Sequence, residues 1–97
     1  MNDLLKWLEN WYAEKCNGDW EHLEGIRIGT LDNPGWYVKI NLEELDLPNS
    51  PLDDVDREID SDDWVVCRVR DNAFEGFGGL YNLETILGIF RAWWEEG

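Results

Sequence analysis

Between Gly25 and Leu42 the chain reads GIRIGTLDNPGWYVKINL, and its apolar residues recur with a period of two. Ile26, Ile28 and Thr30 alternate with Arg27 and Gly29, and then Trp36, Val38, Ile40 and Leu42 alternate with Tyr37, Lys39 and Asn41. Alternation sorts side chains onto opposite faces of an extended backbone, so two strands are expected here, apolar on one face and polar on the other. The intervening LDNPGW gathers Asp, Asn, Pro and Gly, whose backbone preferences suit a tight reversal, and the simplest connection is a hairpin. Such a hairpin needs a second layer to cover its apolar face.

That layer is supplied from both ends of the chain. Leu4, Trp7, Leu8, Trp11 and Tyr12 fall on one helical face, which predicts a helix from about Asp3 to Cys16. Asn2 or Asp3 would cap it, and Asn17-Gly18 supplies the left-handed residues that end helices. Near the other end, Asn82 can cap a helix that carries Leu83, Ile86, Leu87, Phe90 and Trp94 on one face and reaches nearly to Gly97.

Between hairpin and second helix, residues Glu43 to Asp63 lose clear periodicity, contain Pro48 and Pro51, and set ten acids against one Arg. This stretch reads as a long connection. Trp64 to Val69 (WVVCRV) is rich in β-branched residues and predicts a third strand, while Phe74 to Gly79 (FEGFGG) is either a short fourth strand or a glycine-rich turn. The expected fold is a single α+β domain over residues 1–97: a small antiparallel sheet of three to four strands with the N- and C-terminal helices packed on one face.

The charge balance restricts the partners. Twenty-two Asp and Glu against eight Lys and Arg leave a formal charge of -14, a field that repels phosphate backbones and anionic lipid. Nucleic acid and membranes are therefore not expected partners, whereas basic proteins are suitable ones. Disorder is not the reading either, because 43% of the residues are hydrophobic and seven are Trp. No apolar run reaches the ~18 residues of a membrane span, and the start of the chain lacks the features of a secretory signal, so a cytoplasmic location is expected. In that reducing setting Cys16 and Cys67 are expected to be small buried hydrophobes.

The charge is densest in DDVDREIDSDDW, residues Asp53 to Trp64, with seven carboxylates and one Arg. Asp56, Glu58 and Asp60 have the alternate spacing that begins a calcium loop, but the sixth position is Ser61 instead of Gly and the twelfth is Cys67 instead of Glu. If extended, the segment would put Asp54, Asp56, Glu58, Asp60 and Asp62 on one side and Val55 and Ile59 on the other; if helical, Leu52, Val55 and Ile59 would form an apolar stripe. His22 is the only histidine, and the glycines at Gly76 to Gly79 lack the spacing of a phosphate loop. No catalytic residues, metal ligands or cofactor are expected.

A solvated charged loop is one reading of this run. Yet a loop that needed only solubility could mix charge signs, whereas one sign alone is suited to steering and selecting a positive partner.

Three blocks of this chain together resemble the immunity protein 53 family of bacterial polymorphic toxin systems. They are WLENWYAEKCNGDWEHLEGIRIGTLDNPGWYVKINL, DDWVVCRVRDNAFEGFGG and NLETILGIFRAWW. The most specific pieces are Gly18-Asp19-Trp20-Glu21-His22, Leu31 to Trp36, and Phe74 to Gly79. The resemblance implies a cytoplasmic, non-enzymatic antidote that binds and blocks a cognate toxin. Many such toxins act on nucleic acid through basic clefts, which an acidic domain could cover. On that reading Asp53, Asp54, Asp56, Glu58, Asp60, Asp62 and Asp63 face the partner, with Trp20, Glu21 and Tyr37 as aromatic and polar anchors. The alternatives are that Asp19 to His22 belong to the architecture, and that the chain is an acidic interaction adaptor unrelated to toxins.

Overall fold

The computed structural model describes residues 3–96. Helix α1 (Leu4–Lys15) and a single 3-10 turn (Trp20–His22) lead into the hairpin β1 (Ile26–Leu31) and β2 (Gly35–Asn41). A loop then reaches the meander β3 (Val55–Asp60), β4 (Asp63–Arg70) and β5 (Ala73–Gly78), and helix α2 (Leu83–Glu96) follows. All neighbouring strands are antiparallel, in the order β1-β2-β5-β4-β3. The two local units, hairpin and meander, are thus sewn together along β2 and β5, where Trp36 faces Gly78 and Asn41 faces Ala73.

The hairpin, both helices and the third expected strand lie where the residue periods put them. The sheet has five strands, one more than the upper expectation. The extra strand is β3, drawn from the acidic connection, and FEGFGG resolves as strand and not as turn. Between β4 and β5, Asp71 and Asn72 both adopt positive φ (53° and 61°), the two-residue turn whose twist matches that of antiparallel strands.

One face of the sheet is dry. Val38, Ile40, Val65, Cys67 and Phe74 are buried there beneath Ile86, Leu87, Phe90 and Trp93 of α2, while α1 adds Leu4, Leu8 and Trp11. Phe90 stands at the centre of an aromatic cluster: its ring lies 5.0 Å from Phe74, 5.1 Å from Trp11, 5.8 Å from Trp94 and 6.1 Å from both Trp7 and Trp93. Mostly edge-on geometry of this kind adds to simple burial. Trp93, the residue before Trp94 of the predicted stripe, is the more deeply buried of the last two tryptophans, and its indole N–H donates to Ser50 O at 2.9 Å, pinning the loop before β3.

Gly76 lets α2 come this close. Its inward position on β5 lies under Ile86, and a Cβ built there would collide with Ile86 Cγ2. At the helix start Asn82 joins layers through its side chain, accepting from Trp64 N at 3.3 Å and donating to Asp63 Oδ1 at 3.1 Å. At the other helix Asp3 is the N-terminal flanking residue but makes no capping bond; its carboxylate instead accepts from Arg91 Nη1 at 2.9 Å. The alternative cap, Asn2, lies outside the described residues.

The junction between α1 and β1 is built from local hydrogen bonds. Asn17 Oδ1 accepts from the N–H groups of Asp19 and Trp20, and the Glu21 carboxylate accepts from those of Asn17 and Gly18 at 2.9 and 2.8 Å. Trp20 is thereby seated in the core, 1% exposed, with its indole N–H donating to Asn41 O at 3.0 Å. Backbone donors, Glu21's own N–H foremost, hold that carboxyl below its usual range against a smaller opposing effect of burial. A depressed folded-state pKa contributes stability in full above the unfolded value near pH 4, and that contribution is lost as pH falls through the lower folded value. Glu21→Gln is therefore expected to melt at lower temperature than the parent at pH 7, with the two melting points converging as pH falls through the lowered folded-state value. A difference that persists unchanged at low pH would show that the carboxylate charge is not what closes the turn.

Candidate functional site

Sheet topology decides which functional side chains share a surface. With both helices on one face, the opposite face is left uncovered. It carries Arg27 on β1, Tyr37 and Lys39 on β2, Glu75 and Phe77 on β5, Trp64, Val66, Arg68 and Arg70 on β4, and Asp56 and Glu58 on β3. Two cross-strand rows organise it. Tyr37, Phe77, Val66 and Asp56 stand side by side across four strands, and next to them run Arg27, Lys39, Glu75 and Arg68.

The apolar row has local support. Gly29 faces Tyr37, and a Cβ there would strike the tyrosine ring, so the ring lies over the glycine. Arg68 Cζ sits 5.6 Å from the centre of the Phe77 ring while its Nε donates to Glu75 Oε1 at 2.9 Å. Tyr37, Phe77, Val66 and Trp64 are each half-buried by neighbours on the sheet alone. Beyond Lys39, at the end of the face nearest the 3-10 turn, a recess of about 400 Å³ is lined by His22, Glu24, Arg27, Lys39, Asn41 and Asp71 among others.

The predicted acids are not all brought together. Asp56 and Glu58 project from β3 onto the uncovered face, opposite Val66 and Trp64. Asp54 precedes the strand, and Asp53 lines a shallow groove on the helical side with Pro51, Leu52, Ile89 and Trp93. Asp60 Oδ1 accepts from Asp62 N at 2.8 Å and closes the β3–β4 turn, with Asp62 exposed at its tip, whereas Asp63 is engaged by Asn82. The expected alternation of acids against Val55 and Ile59 holds only as far as Glu58. A register shift between Glu58 and Asp60 breaks it, and Ile59 is 74% exposed.

Trp20 and Glu21 are committed to the α1–β1 junction, as described above, and Trp20 presents no surface to a partner. Tyr37 is the one expected anchor that stands on the uncovered face. The residues that sequence reasoning passed over are its neighbours Phe77, Val66, Trp64, Arg68 and Lys39; alternation along each strand was the available signal, but their assembly depends on strand order.

The two thiols and the histidine stand apart from one another. Cys67 is fully buried under α2, and desolvation pushes its thiol up to about 12, against a smaller opposing pull from Arg57, so it packs as a small hydrophobe. Cys16, expected to be buried, is exposed just past the end of α1. His22 is also exposed and lines the recess on the opposite face of the sheet from Cys67. Among the described residues no group of three or more His, Cys, Asp or Glu could hold a metal ion. No described helix is long and apolar enough to cross a membrane.

No curated protein and no solved structure matches the chain. The model of the immunity protein 53 family matches residues 5–95, from the first turn of α1 to the last of α2. The chain belongs to the immunity protein 53 family.

Proposed function

We propose that this chain neutralises its cognate toxin by binding it, with the acidic edge of the sheet covering a basic site on the toxin. Membership of an immunity family implies a toxin as partner. The observation that carries the finer reading is the composition of β3 and its approach: VDREID presents Asp56 and Glu58 on the uncovered face, with Asp54 before the strand and Asp62 after it, while its one cation, Arg57, alternates to the other face. An edge strand needs some charge to resist pairing with other chains. Acids extending past both ends of the strand exceed that need, and a one-signed strip raises the encounter rate with a cationic cleft. A toxin that acts on nucleic acid has such a cleft, and the strip would stand where phosphates otherwise bind.

The charged contact is expected to be salt-sensitive. Binding to the toxin domain should weaken by about tenfold or more between about 50 and 500 mM salt, and a variant with Asp53, Asp54, Asp56, Asp60 and Asp62 all changed to Asn should show weaker binding and a flatter salt response. Asn keeps an acceptor for the Asp62 N–H, so the β3–β4 turn survives the change. Titration calorimetry at the two salt concentrations reads both effects. Parent affinity that is indifferent to salt would remove the acidic strip from the interface.

A further inference from the structure

We propose that the toxin seats on the uncovered face of the sheet itself, with the Tyr37–Phe77–Val66 row as the apolar centre of the interface and the β3 acids as one side of its rim. This inference rests on the immunity reading above and locates the contact that reading requires. It differs from a purely acidic interface because the face is not acidic throughout.

Four of the chain's eight cationic side chains, Arg27, Lys39, Arg68 and Arg70, stand on this face. In a molecule of net charge -14 that is a local reversal, with the acids Asp56 and Glu58 gathered at the β3 edge. Lys39 and Arg70 make no ion pair among the described residues. The face is therefore zoned in rows: Tyr37, Phe77 and Val66 form an apolar row that ends at Asp56 on β3, and beside it Arg27, Lys39 and Arg68 form a cationic row interrupted by Glu75, with Arg70 beyond it on β4. Five strands about 4.8 Å apart and six to eight residues long make a platform roughly 20 Å on each side, enough for the centre of a standard interface. Half-buried aromatic side chains ringed by charge match the anatomy of interface centres and rims.

The partner this zoning fits is a toxin surface with apolar side chains at its centre, cations over β3 and carboxylates over Arg27 and Lys39. A second copy of this chain could in principle offer the same complement, but two bodies each carrying -14 repel. The toxin is the occupant that avoids that repulsion.

The test uses the cognate toxin domain, inactivated by substitution, titrated with the parent and three variants. Tyr37→Ala and Lys39→Glu are each expected to weaken binding by at least about tenfold, while Lys6→Glu, the same charge change on exposed α1, should leave it unchanged. Lys39→Glu is the deciding variant, because an interface made only of negative charge would bind a basic toxin more tightly when another acid is added. Tyr37 covers Gly29, so thermal melts of that variant separate misfolding from lost contact. Parent-like or tighter binding by a folded Lys39→Glu overturns the sheet-face site and leaves the immunity reading standing. Absence of binding by the parent overturns both, and a dimer of this chain that Lys39→Glu dissociates in sedimentation would assign the face to a second copy instead.

Discussion

Phe90→Ala is expected to cost about 3–5 kcal/mol, a large share of the ~5–15 kcal/mol that typically separates a folded domain from its unfolded chain. Phe90 is fully buried on α2 and its ring meets one aromatic side chain of the sheet, two of α1 and two of its own helix. Removing it leaves a cavity walled by Trp7, Trp11, Phe74, Trp93 and Trp94, large rigid side chains that cannot collapse inward without leaving their rotamers. Trp11 compounds the loss, since its buried indole N–H already lacks an acceptor among the described residues and depends on ring packing for its position. Urea unfolding followed by far-ultraviolet circular dichroism gives the difference directly. A loss below about 1 kcal/mol would mean that the layers are held chiefly elsewhere.

The second large effect comes from adding atoms. Gly76→Ala is expected to destabilise by about 1–3 kcal/mol, although alanine suits a strand no worse than glycine does. The added methyl meets Ile86 Cγ2, with Phe74 and Cys67 Sγ also close, so α2 must lift or Ile86 must leave its preferred rotamer. Ile86→Leu removes the β-branch at nearly constant volume, and on its own should cost less than about 1.5 kcal/mol. In the double variant Gly76→Ala/Ile86→Leu the penalties should fall short of their sum by about 1 kcal/mol, the coupling expected of side chains in contact. Additive penalties would place the strain of Gly76→Ala in β5 itself.

The same glycine explains why β5 was ambiguous in sequence. Glycine is depleted in strands, and a FEGFGG segment looks like a turn until a helix is known to lie on its even-numbered residues. The β1–β2 hairpin, α1, α2 and β4 were legible because burial imposes a period on each. β3 was not, because an edge strand whose single core contact is Val55 need not alternate, and the register shift after Glu58 erases what pattern there is. Asp71-Asn72 between WVVCRVR and AFEGFG was the readable clue that two strands meet there. The uncovered face lay further from reach. Tyr37, Phe77 and Val66 are distant in sequence and become neighbours only because β2 pairs with β5, which no local pattern specifies.

That seam also orders the folding reaction in time. The β1–β2 hairpin and the β3–β4–β5 meander each close over short turns and can form and dissolve quickly on their own. Joining β2 to β5 requires the whole acidic loop and two further strands to be drawn in, and the chain entropy of that closure is spent before any of the β2–β5 bonds reward it. The docking of the two halves is therefore expected to limit the folding rate, and a refolding rate unchanged by substitutions along β2 and β5 would place the barrier elsewhere. Until the halves dock, the inner edges of β2 and β5 are open to other chains, and the strong negative charge that each nascent molecule carries keeps those edges from finding one another.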